Sequence, residues 1–203
     1  MQSVTEGKEF HAKPAREEAE LAIEYIWHKV CDKGQFNLTE SYPNGQEALF
    51  ALMQTLSNGC VQIAGRENKA YRDIPRTRWL EQHATYLAKA LNWSDALCPK
   101  LHQVAEKAAG EQKGEDWSRA ANGASKNRKF ARTEKGYYVL GPKVMEEGDI
   151  ICVLFGGKLP FCLRPWRDQY LLVGECYVHG LMDGEAMVMM SRGDLSEKTF
   201  EIV

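Results

Sequence analysis

The sequence predicts an α+β protein in which a helical N-terminal region packs against a small C-terminal antiparallel β-barrel. Through the first two thirds of the chain, apolar residues recur at helical spacing. After Gly136 they instead form short runs separated by Gly, Pro and Asp turn residues. The stretch 110–135 between these regions is rich in Gly, Ser, Asn and Lys. We therefore expect a helical region at 1–125 and the barrel at 126–203.

Four helices are expected in the first region. The second begins near Asn44, because Glu47 follows three residues later in a capping-box relation, and it ends at Asn58-Gly59. Each helix has one apolar face, so we expect these faces to share a core. The other three helices are predicted at 14–33, 79–91 and 99–108.

The second region predicts short strands, because β-branched and aromatic residues are dense between its turn signals. Closing these strands into a barrel would remove their exposed edges. The predicted strands are Tyr137–Leu140, Asp149–Phe155, Pro160–Trp166, Tyr170–His179, Ala186–Met190 and Thr199–Val203.

Composition excludes several classes of protein. The 203 residues carry a net charge of −2, so the chain as a whole has no field that would attract nucleic acid or anionic lipid. No run approaches the ~20 apolar residues of a membrane span, and the first ten residues lack the apolar segment of a secretion signal. We therefore expect a cytoplasmic protein, without a membrane partner, whose six cysteines are reduced.

Several short motifs after residue 130 occur in a characteristic order. They begin at Phe130 and Thr133, with Gly136 and Gly141-Pro142 following. The later motifs are Gly148-Asp149-Ile150, Gly156-Gly157, Pro160-Phe161-Cys162-Leu163-Arg164 and the run from Leu172 to Ala186. Their order and spacing from Phe130 to Ala186 resemble the C-terminal region of fungal heterokaryon incompatibility (HET) family proteins.

This resemblance implies a non-catalytic accessory or recognition module linked to fungal non-self recognition and programmed cell death. The signature of the N-terminal HET domain, which resembles A-L-S-Y-x-W-G, does not occur in the sequence. We therefore expect a chain that lacks the HET domain and that contacts either that domain or another protein. No cofactor is implied, and the role rests on the resemblance because no catalytic motif is visible.

Arg164, Glu175, His179, Asp183 and Glu185 are the candidate site residues. Gly180 and Asp183-Gly184 predict a tight turn, so polar side chains beside them are expected to bond to its backbone or to one another. Arg164 lies in an apolar strand and needs an acidic partner, for which Glu175, Asp149 and Asp168 are available. We therefore expect these residues to serve turns or an interaction surface, with no catalytic residue among them.

Three other functions use particular residues. A small hydrolase or transferase could use His179 as a base with Glu185 or Cys176. A metal site could use the C-x-x-H spacing of Cys176 and His179, but residues three apart on a strand point to opposite faces, and zinc needs about four ligands. We therefore expect no metal. A phosphate- or nucleic-acid-binding module could use the basic connector 126–132.

That connector contains Lys126, Arg128, Lys129 and Arg132 around Phe130. We favour a solvated connector and do not expect nucleic acid as a partner. Binding would require these cations on one exposed face with aromatic residues between them.

The turn Gly156-Gly157-Lys158 makes the sharpest structural prediction. A three-residue loop would pair Cys152 directly with Cys162, whereas a shift of one residue would oppose Cys152 to Phe161. We expect the first register, with the two thiols adjacent on one face and reduced, because a disulfide needs closer Cβ atoms.

Overall fold

A computed structural model describes residues 4–5, 26, 41–61, 69–70, 81–82, 85–86 and 114–203. The chain forms two compact units. One comprises 1–11, 40–51 and 127–203, and the other comprises 12–39 and 52–126. We describe each unit by itself. The predicted division at residue 125 stays a prediction.

The described elements are numbered in chain order. They are β1 (Val4–Thr5), α1 (Ala48–Leu56), β2 (Cys60–Val61), β3 (Lys69–Ala70), α2 (Gly114–Ser125), β4 (Arg128–Thr133), β5 (Tyr138–Pro142), β6 (Ile150–Val153), β7 (Pro160–Trp166), β8 (Gln169–Glu175), β9 (Tyr177–Val178) and α3 (Glu185–Ser191).

The unit containing 52–126 has its described core around Trp117 on α2. The indole is fully buried, and its Nε1 donates a hydrogen bond to the carbonyl oxygen of Met53 at 3.3 Å. Ser125 Oγ similarly donates to the carbonyl oxygen of Leu56 at 3.0 Å. The last carbonyls of a helix have no partner within it, so α2 supplies donors to the end of α1.

The other unit contains two antiparallel sheets. One has the strand order β1-β4-β5-β9, and the other has the order β6-β7-β8. In the second sheet Ile151 pairs with Cys162 and Leu163 pairs with Leu172, with a bulge between Cys162 and Leu163. Fully buried side chains, among them Leu140 and Leu163, show that both sheets contribute to a core.

The α+β class is confirmed, but the described residues do not form a closed barrel, because the two sheets are separate hydrogen-bonded ladders. The packing of the helical region on a barrel stays a prediction. No helix in the described ranges is long and apolar enough to cross a membrane.

Three predicted strands differ from the structure. Ala186–Met190 is wrong as a strand, because these residues lie within helix α3. Tyr170–His179 is two strands in different sheets, since the chain leaves β8 after Glu175 and joins β5 through β9. Thr199–Val203 forms one isolated parallel bridge, between Ile202 and Tyr170.

The expected pairing of Cys152 with Cys162 is wrong. Cys152 opposes Phe161, and Cys162 opposes Ile151. The physical reason is the turn: the amide of Gly157 donates to the carbonyl oxygen of Leu154, and Gly156 takes a φ of 81°. This turn leaves an even number of residues between the paired ends Val153 and Pro160, and so shifts the register by one.

Most of the predicted helices at 14–33, 79–91 and 99–108 lie outside the described residues, although residues 26, 81–82 and 85–86 are helical. The helix predicted from Asn44 begins later, at Ala48. Residues 41–47 instead form a tight loop closed by a bridge between Ser41 and Glu47.

Candidate functional site

The strand β9 delivers His179 into the interior of the unit formed by 1–11, 40–51 and 127–203. Val178 pairs with Val139 of β5, and Gly180 then turns the chain with a φ of 83°. His179 is 1% exposed. Titratable side chains in such buried environments are often found at functional sites.

Both nitrogens of His179 are engaged. Nε2 lies 2.5 Å from Oε1 of Gln46, and Nδ1 lies 3.2 Å from the hydroxyl oxygen of Tyr177. An amide oxygen can only accept, so Nε2 carries the proton and donates it to Gln46. Nδ1 is then the acceptor for the Tyr177 hydroxyl. This arrangement fits the neutral imidazole.

The burial of His179 also favours the neutral imidazole. Removing the ring from water disfavours the imidazolium form and lowers the pKa of His179 to about 4. The rings of Tyr42 and Phe50 lie 5.6 and 6.1 Å from the imidazole, centroid to centroid. His179 is therefore neutral at physiological pH within a largely aromatic shell.

The hydroxyl of Tyr42 joins two backbone segments beside this ring. It donates to the carbonyl oxygen of His179 at 3.0 Å and accepts from the amide of Tyr138 at 2.8 Å. Its burial raises the pKa of Tyr42 above its usual range, and the phenol stays protonated. Tyr42 thus satisfies one donor and one acceptor that would otherwise be buried unpaired.

The loop 41–47 places Tyr42 and Gln46 because its own hydrogen bonds fix its shape. The amide of Tyr42 donates to the carbonyl oxygen of Gln46 at 2.7 Å, and the amide of Gln46 donates to Oδ1 of Asn44 at 3.1 Å. Asparagine favours such local bonds in turns. Asn44 Nδ2 also donates to Oε1 of Gln46 at 3.2 Å.

Glycine is required where this loop meets the turn after β9. A Cβ atom added at Gly180 would lie 3.1 Å from Nδ2 of Asn44, and its φ of 83° disfavours side chains. The tight contact keeps Asn44, and through it Gln46, against His179.

The hydrolase or transferase hypothesis required His179 to act with Glu185 or Cys176. Glu185 Oε2 accepts from the amide of Asp183 at 2.6 Å, at the turn before α3. Cys176 is buried, and its Sγ lies 4.0 Å from the carbonyl oxygen of Gly174. The structure therefore joins Asp183 with Glu185 in a turn and holds His179 in a separate network with Gln46 and Tyr177.

Arg164 has Asp149 as its partner. Nε and Nη2 of Arg164 lie 2.8 and 3.0 Å from the two carboxylate oxygens of Asp149, which is 1% exposed. The pKa of Arg164 is raised, chiefly by this hydrogen bonding. Asp149 also accepts from the amide of Glu146 at 2.8 Å, so the pair fastens the loop before β6 to β7. Glu175 is exposed at the end of β8.

The prediction of a solvated connector at 126–132 is wrong from Arg128 onwards, because Arg128–Thr133 is strand β4. Lys129 is buried, and its Nζ donates to the carbonyl oxygen of Met145 at 2.6 Å. Arg128 Nη2 donates to the carbonyl oxygen of Leu140 at 3.3 Å, and Phe130 is buried. Arg128 and Lys129 therefore bind the protein's own carbonyls, whereas Lys126 and Arg132 are exposed.

Three buried cysteines, Cys152, Cys162 and Cys176, are free thiols. A hydrogen bond with Cys176, followed by burial, raises the pKa of Cys162. Burial raises the pKa of Cys152 to about 11. Raised pKa values suppress the reactive thiolate. Among the residues that the structure describes, no cluster of three or more His, Cys, Asp or Glu side chains could hold a metal.

A small apolar cavity of about 30 Å³ lies beside Tyr137, Val178 and Met189. Its lining is almost entirely apolar, so it offers few of the two to four polar partners that a buried water molecule needs.

Sequence reasoning missed Tyr42, Gln46 and Tyr177. Tyr177 could have been found, because residues two apart on a strand share a face and it precedes His179 by two. Tyr42 and Gln46 lie more than 130 residues away from His179. No local pattern connects residues that far apart.

Comparison with known proteins identifies a family that the sequence matches. The family model described as the Het-6 beta-barrel domain matches residues 69–196. The chain is also similar to heterokaryon incompatibility protein 6, OR allele, of Neurospora crassa, with 27% identity over 153 residues. That match covers 66% of this chain and 21% of the Neurospora protein, so the chain spans about a fifth of that relative. No solved structure gives a significant match.

Proposed function

This chain belongs to the Het-6 β-barrel domain family, and from this premise we propose that it is a non-catalytic accessory or recognition module of a heterokaryon incompatibility protein. The module contributes to fungal non-self recognition and the cell death that follows, through contact with another protein in the cytoplasm. The name of the Neurospora relative supports the link to incompatibility.

The engagement of His179 carries the non-catalytic part of the proposal. A general base must accept the proton of a substrate through a free lone pair within hydrogen-bond reach. In His179, Nε2 is held by Gln46, Nδ1 is held by Tyr177, and the ring is 1% exposed. The ring therefore links the loop 41–47 to β9 and has no open position for a substrate.

We also propose that the two sheets are parts of one small barrel. Gly174 of β8 supports this arrangement, since a Cβ atom there would lie 2.8 Å from Cγ of Pro142 on β5. The two sheets approach closely at this point. Glycine at 174, with a φ of 147°, allows the approach.

The test of function uses fungal strains that express the chain within its own gene. Strains carrying His179→Asn or Glu185→Gln would be fused with an incompatible partner strain, and cell death would be scored by vital-dye uptake. Asparagine can still form hydrogen bonds but cannot exchange a proton near neutral pH. We expect both variants to trigger cell death as the unmodified chain does.

The folded state of each variant would be checked by thermal unfolding of the purified chain. Gly180→Val, which forces Asn44 aside, is the matched control that should lose both fold and cell death. A folded His179→Asn protein that abolished cell death would overturn the non-catalytic role. If all strains, including the one with the unmodified chain, gave no response, the link to incompatibility would be wrong.

A further inference from the structure

Helix α3 and the turn before it contain four of the seven methionines of the chain, Met182, Met187, Met189 and Met190. A thioether sulfur can be oxidised to a sulfoxide, and dedicated reductases reverse the reaction. What the modification does to a protein depends on what the new oxygen meets. The sulfur of Met182 already accepts a hydrogen bond from the amide of Val178 at 3.3 Å.

Exposure separates the other methionine sulfurs. Met53 and Met145 are 0% and 1% exposed, which protects them from oxidants in solution. Met187 is 47% exposed, so the oxygen of a sulfoxide there would lie in water. Met189 is half-buried. A small oxidant can therefore reach the sulfur of Met189, and the oxygen that it adds can lie within the protein.

A hydroxyl donor faces the sulfur of Met189. The hydroxyl oxygen of Tyr137, the residue before β5, lies 3.8 Å from this Sδ atom. A thioether is a weak acceptor, and the contact is longer than the bonds that hydroxyl groups make to oxygen. Burial, followed by the negative charges of Asp194 and Glu185, raises the pKa of Tyr137. The phenol therefore stays protonated and can donate.

The separation of these two atoms fits a sulfoxide better than a thioether. A hydroxyl binds an oxygen acceptor at an O···O distance of about 2.7–2.8 Å. With an S–O bond of about 1.5 Å and an angle of about 120° at the oxygen, the sulfur of a bound sulfoxide would lie about 3.7 Å from the hydroxyl oxygen. Sδ of Met189 already lies 3.8 Å from the Tyr137 hydroxyl.

The apolar cavity of about 30 Å³ provides the space, because Tyr137 and Met189 both line it. An oxygen atom is about as large as a water molecule, which needs roughly 10–15 Å³. Water is poorly suited to this cavity because it needs several polar partners. A sulfoxide oxygen is already bonded to sulfur and needs one donor, which the Tyr137 hydroxyl supplies.

We propose that Met189 is a site of reversible sulfoxidation, in which a peroxide adds one oxygen to Sδ and the Tyr137 hydroxyl binds that oxygen in the cavity. The modification fastens α3 to the residue before β5. A sulfoxide in a protein core normally disrupts packing, whereas this one gains a hydrogen bond. The site is separate from the His179 network, so the inference goes beyond the proposed function.

The reaction needs hydrogen peroxide alone. A lone pair of Sδ attacks one peroxide oxygen, the O–O bond breaks, and the other oxygen takes up a proton and leaves as water. The sulfur loses two electrons and the peroxide gains them. In the reverse direction a methionine sulfoxide reductase removes the oxygen as water, while two thiols are oxidised to a disulfide.

The first test maps oxidation in the purified full chain by hydrogen peroxide treatment, tryptic digestion and mass spectrometry. We expect Met189 to react within about tenfold of the rate of Met187, and at least about tenfold faster than Met53 and Met145. In urea all four should react at similar rates. A rate for Met189 in the native chain as slow as that of Met53 would overturn the proposal.

The second test measures amide hydrogen exchange of α3 before and after oxidation. The chain carries Met187→Leu and Met190→Leu, which are close in volume to methionine, so that Met189 is the oxidised sulfur of α3. We expect oxidation to slow exchange about fivefold, as one added hydrogen bond would. With Tyr137→Phe, which removes only the hydroxyl, oxidation should leave exchange unchanged or make it faster.

Met189→Leu is the matched control, because its oxidation at the exposed Met187 should leave exchange in α3 unchanged. Equal effects of oxidation with and without Tyr137→Phe would overturn the proposal. Lys135 also lines the cavity. Slowing that Lys135→Ala abolishes and Tyr137→Phe retains would assign the oxygen to the ammonium group, and would overturn it too. None of these measurements depends on the cell-death assay, so the two proposals are tested separately.

Discussion

Nε2 of His179 lies 2.5 Å from Oε1 of Gln46, although 133 residues separate the two in the sequence. The bond fixes both the tautomer of the ring and the position of the loop 41–47. Removing the Gln46 acceptor leaves a buried N–H group without that bond, and this costs more free energy than the bond itself contributes.

Gln46→Leu and Tyr177→Phe should each destabilise the protein. Each removes a hydrogen bond to a ring nitrogen of His179, and we expect the free energy of unfolding to fall by about 1–3 kcal/mol. Urea denaturation followed by tryptophan fluorescence would measure this. Lys158→Ala, in the exposed loop before β7, is the control and should change stability by less than about 0.5 kcal/mol. Losses as small as that of the control would contradict the network.

Stability should fall as the pH falls from 6.5 towards 4. The pKa of His179 is about 4 in the folded protein, whereas the ordinary value, which applies in the unfolded chain, is 6.5. Between these values the unfolded state binds more protons, so acidification favours unfolding. We expect this group to cost about 2 kcal/mol between pH 7 and pH 5. His179→Asn should have a shallower pH dependence than the unmodified chain, and parallel curves from urea denaturation would refute the buried neutral ring.

Arg164→Ala should destabilise the protein more than the loss of an exposed ion pair would. The substitution leaves the carboxylate of Asp149, 1% exposed, without its charged partner. Breaking a fully buried pair costs about 3–5 kcal/mol, and because the Arg164 side chain is 27% exposed we expect a loss towards the lower end of that range. Arg164→Lys keeps the charge but not the two-pronged contact, so it should recover part of the loss. Equal stability of Arg164→Ala and the unmodified chain in urea would contradict this role.

The buried thiols should resist alkylation in the native protein. Burial raises the pKa of Cys152 to about 11, and the pKa of Cys162 is raised by its bond with Cys176 and by burial. Cys60 is partly exposed, although burial also raises its pKa. With iodoacetamide at pH 8 and mass spectrometry, Cys60 should be modified before the three buried thiols. Modification of the three buried thiols at the rate found in urea would show that they are accessible.

Gly174→Ala should test the close approach of the two sheets. The added methyl group would meet Pro142 at 2.8 Å, and a φ of 147° is unfavourable for alanine. We expect a loss of about 1–3 kcal/mol, as for other strained backbone positions. Gly123→Ala on α2 is the matched control, because nothing lies within 4 Å of its added methyl and helices favour alanine. It should leave the melting temperature unchanged or raise it.

The sequence predicted β7 with the same bounds as the structure, because Pro160–Trp166 is a dense apolar run between clear turn signals. It failed at α3, where a short apolar run does not distinguish helix from strand. The three methionines of Glu185–Ser191, good helix formers, were the signal that could have decided it.

Only part of the candidate site can be predicted from the sequence. Asp149 is one of three acidic residues that the sequence offers as a partner for Arg164, and the alternation of strand faces does not distinguish among the three. The register around Cys152 depended on one residue in a glycine turn. Such a difference comes from backbone torsions that glycine leaves open, so the pattern of side chains alone could not predict it.

The hydroxyl of Tyr42 also has a consequence for biosynthesis. Its acceptor, the carbonyl of His179, is made 137 residues later. Ribosomes add roughly 5–20 residues per second, so Tyr42 is incorporated about 7–27 s before its acceptor. During that interval this tyrosine lacks its native acceptor. The unit that contains it can complete its native bonds only after translation has passed β9.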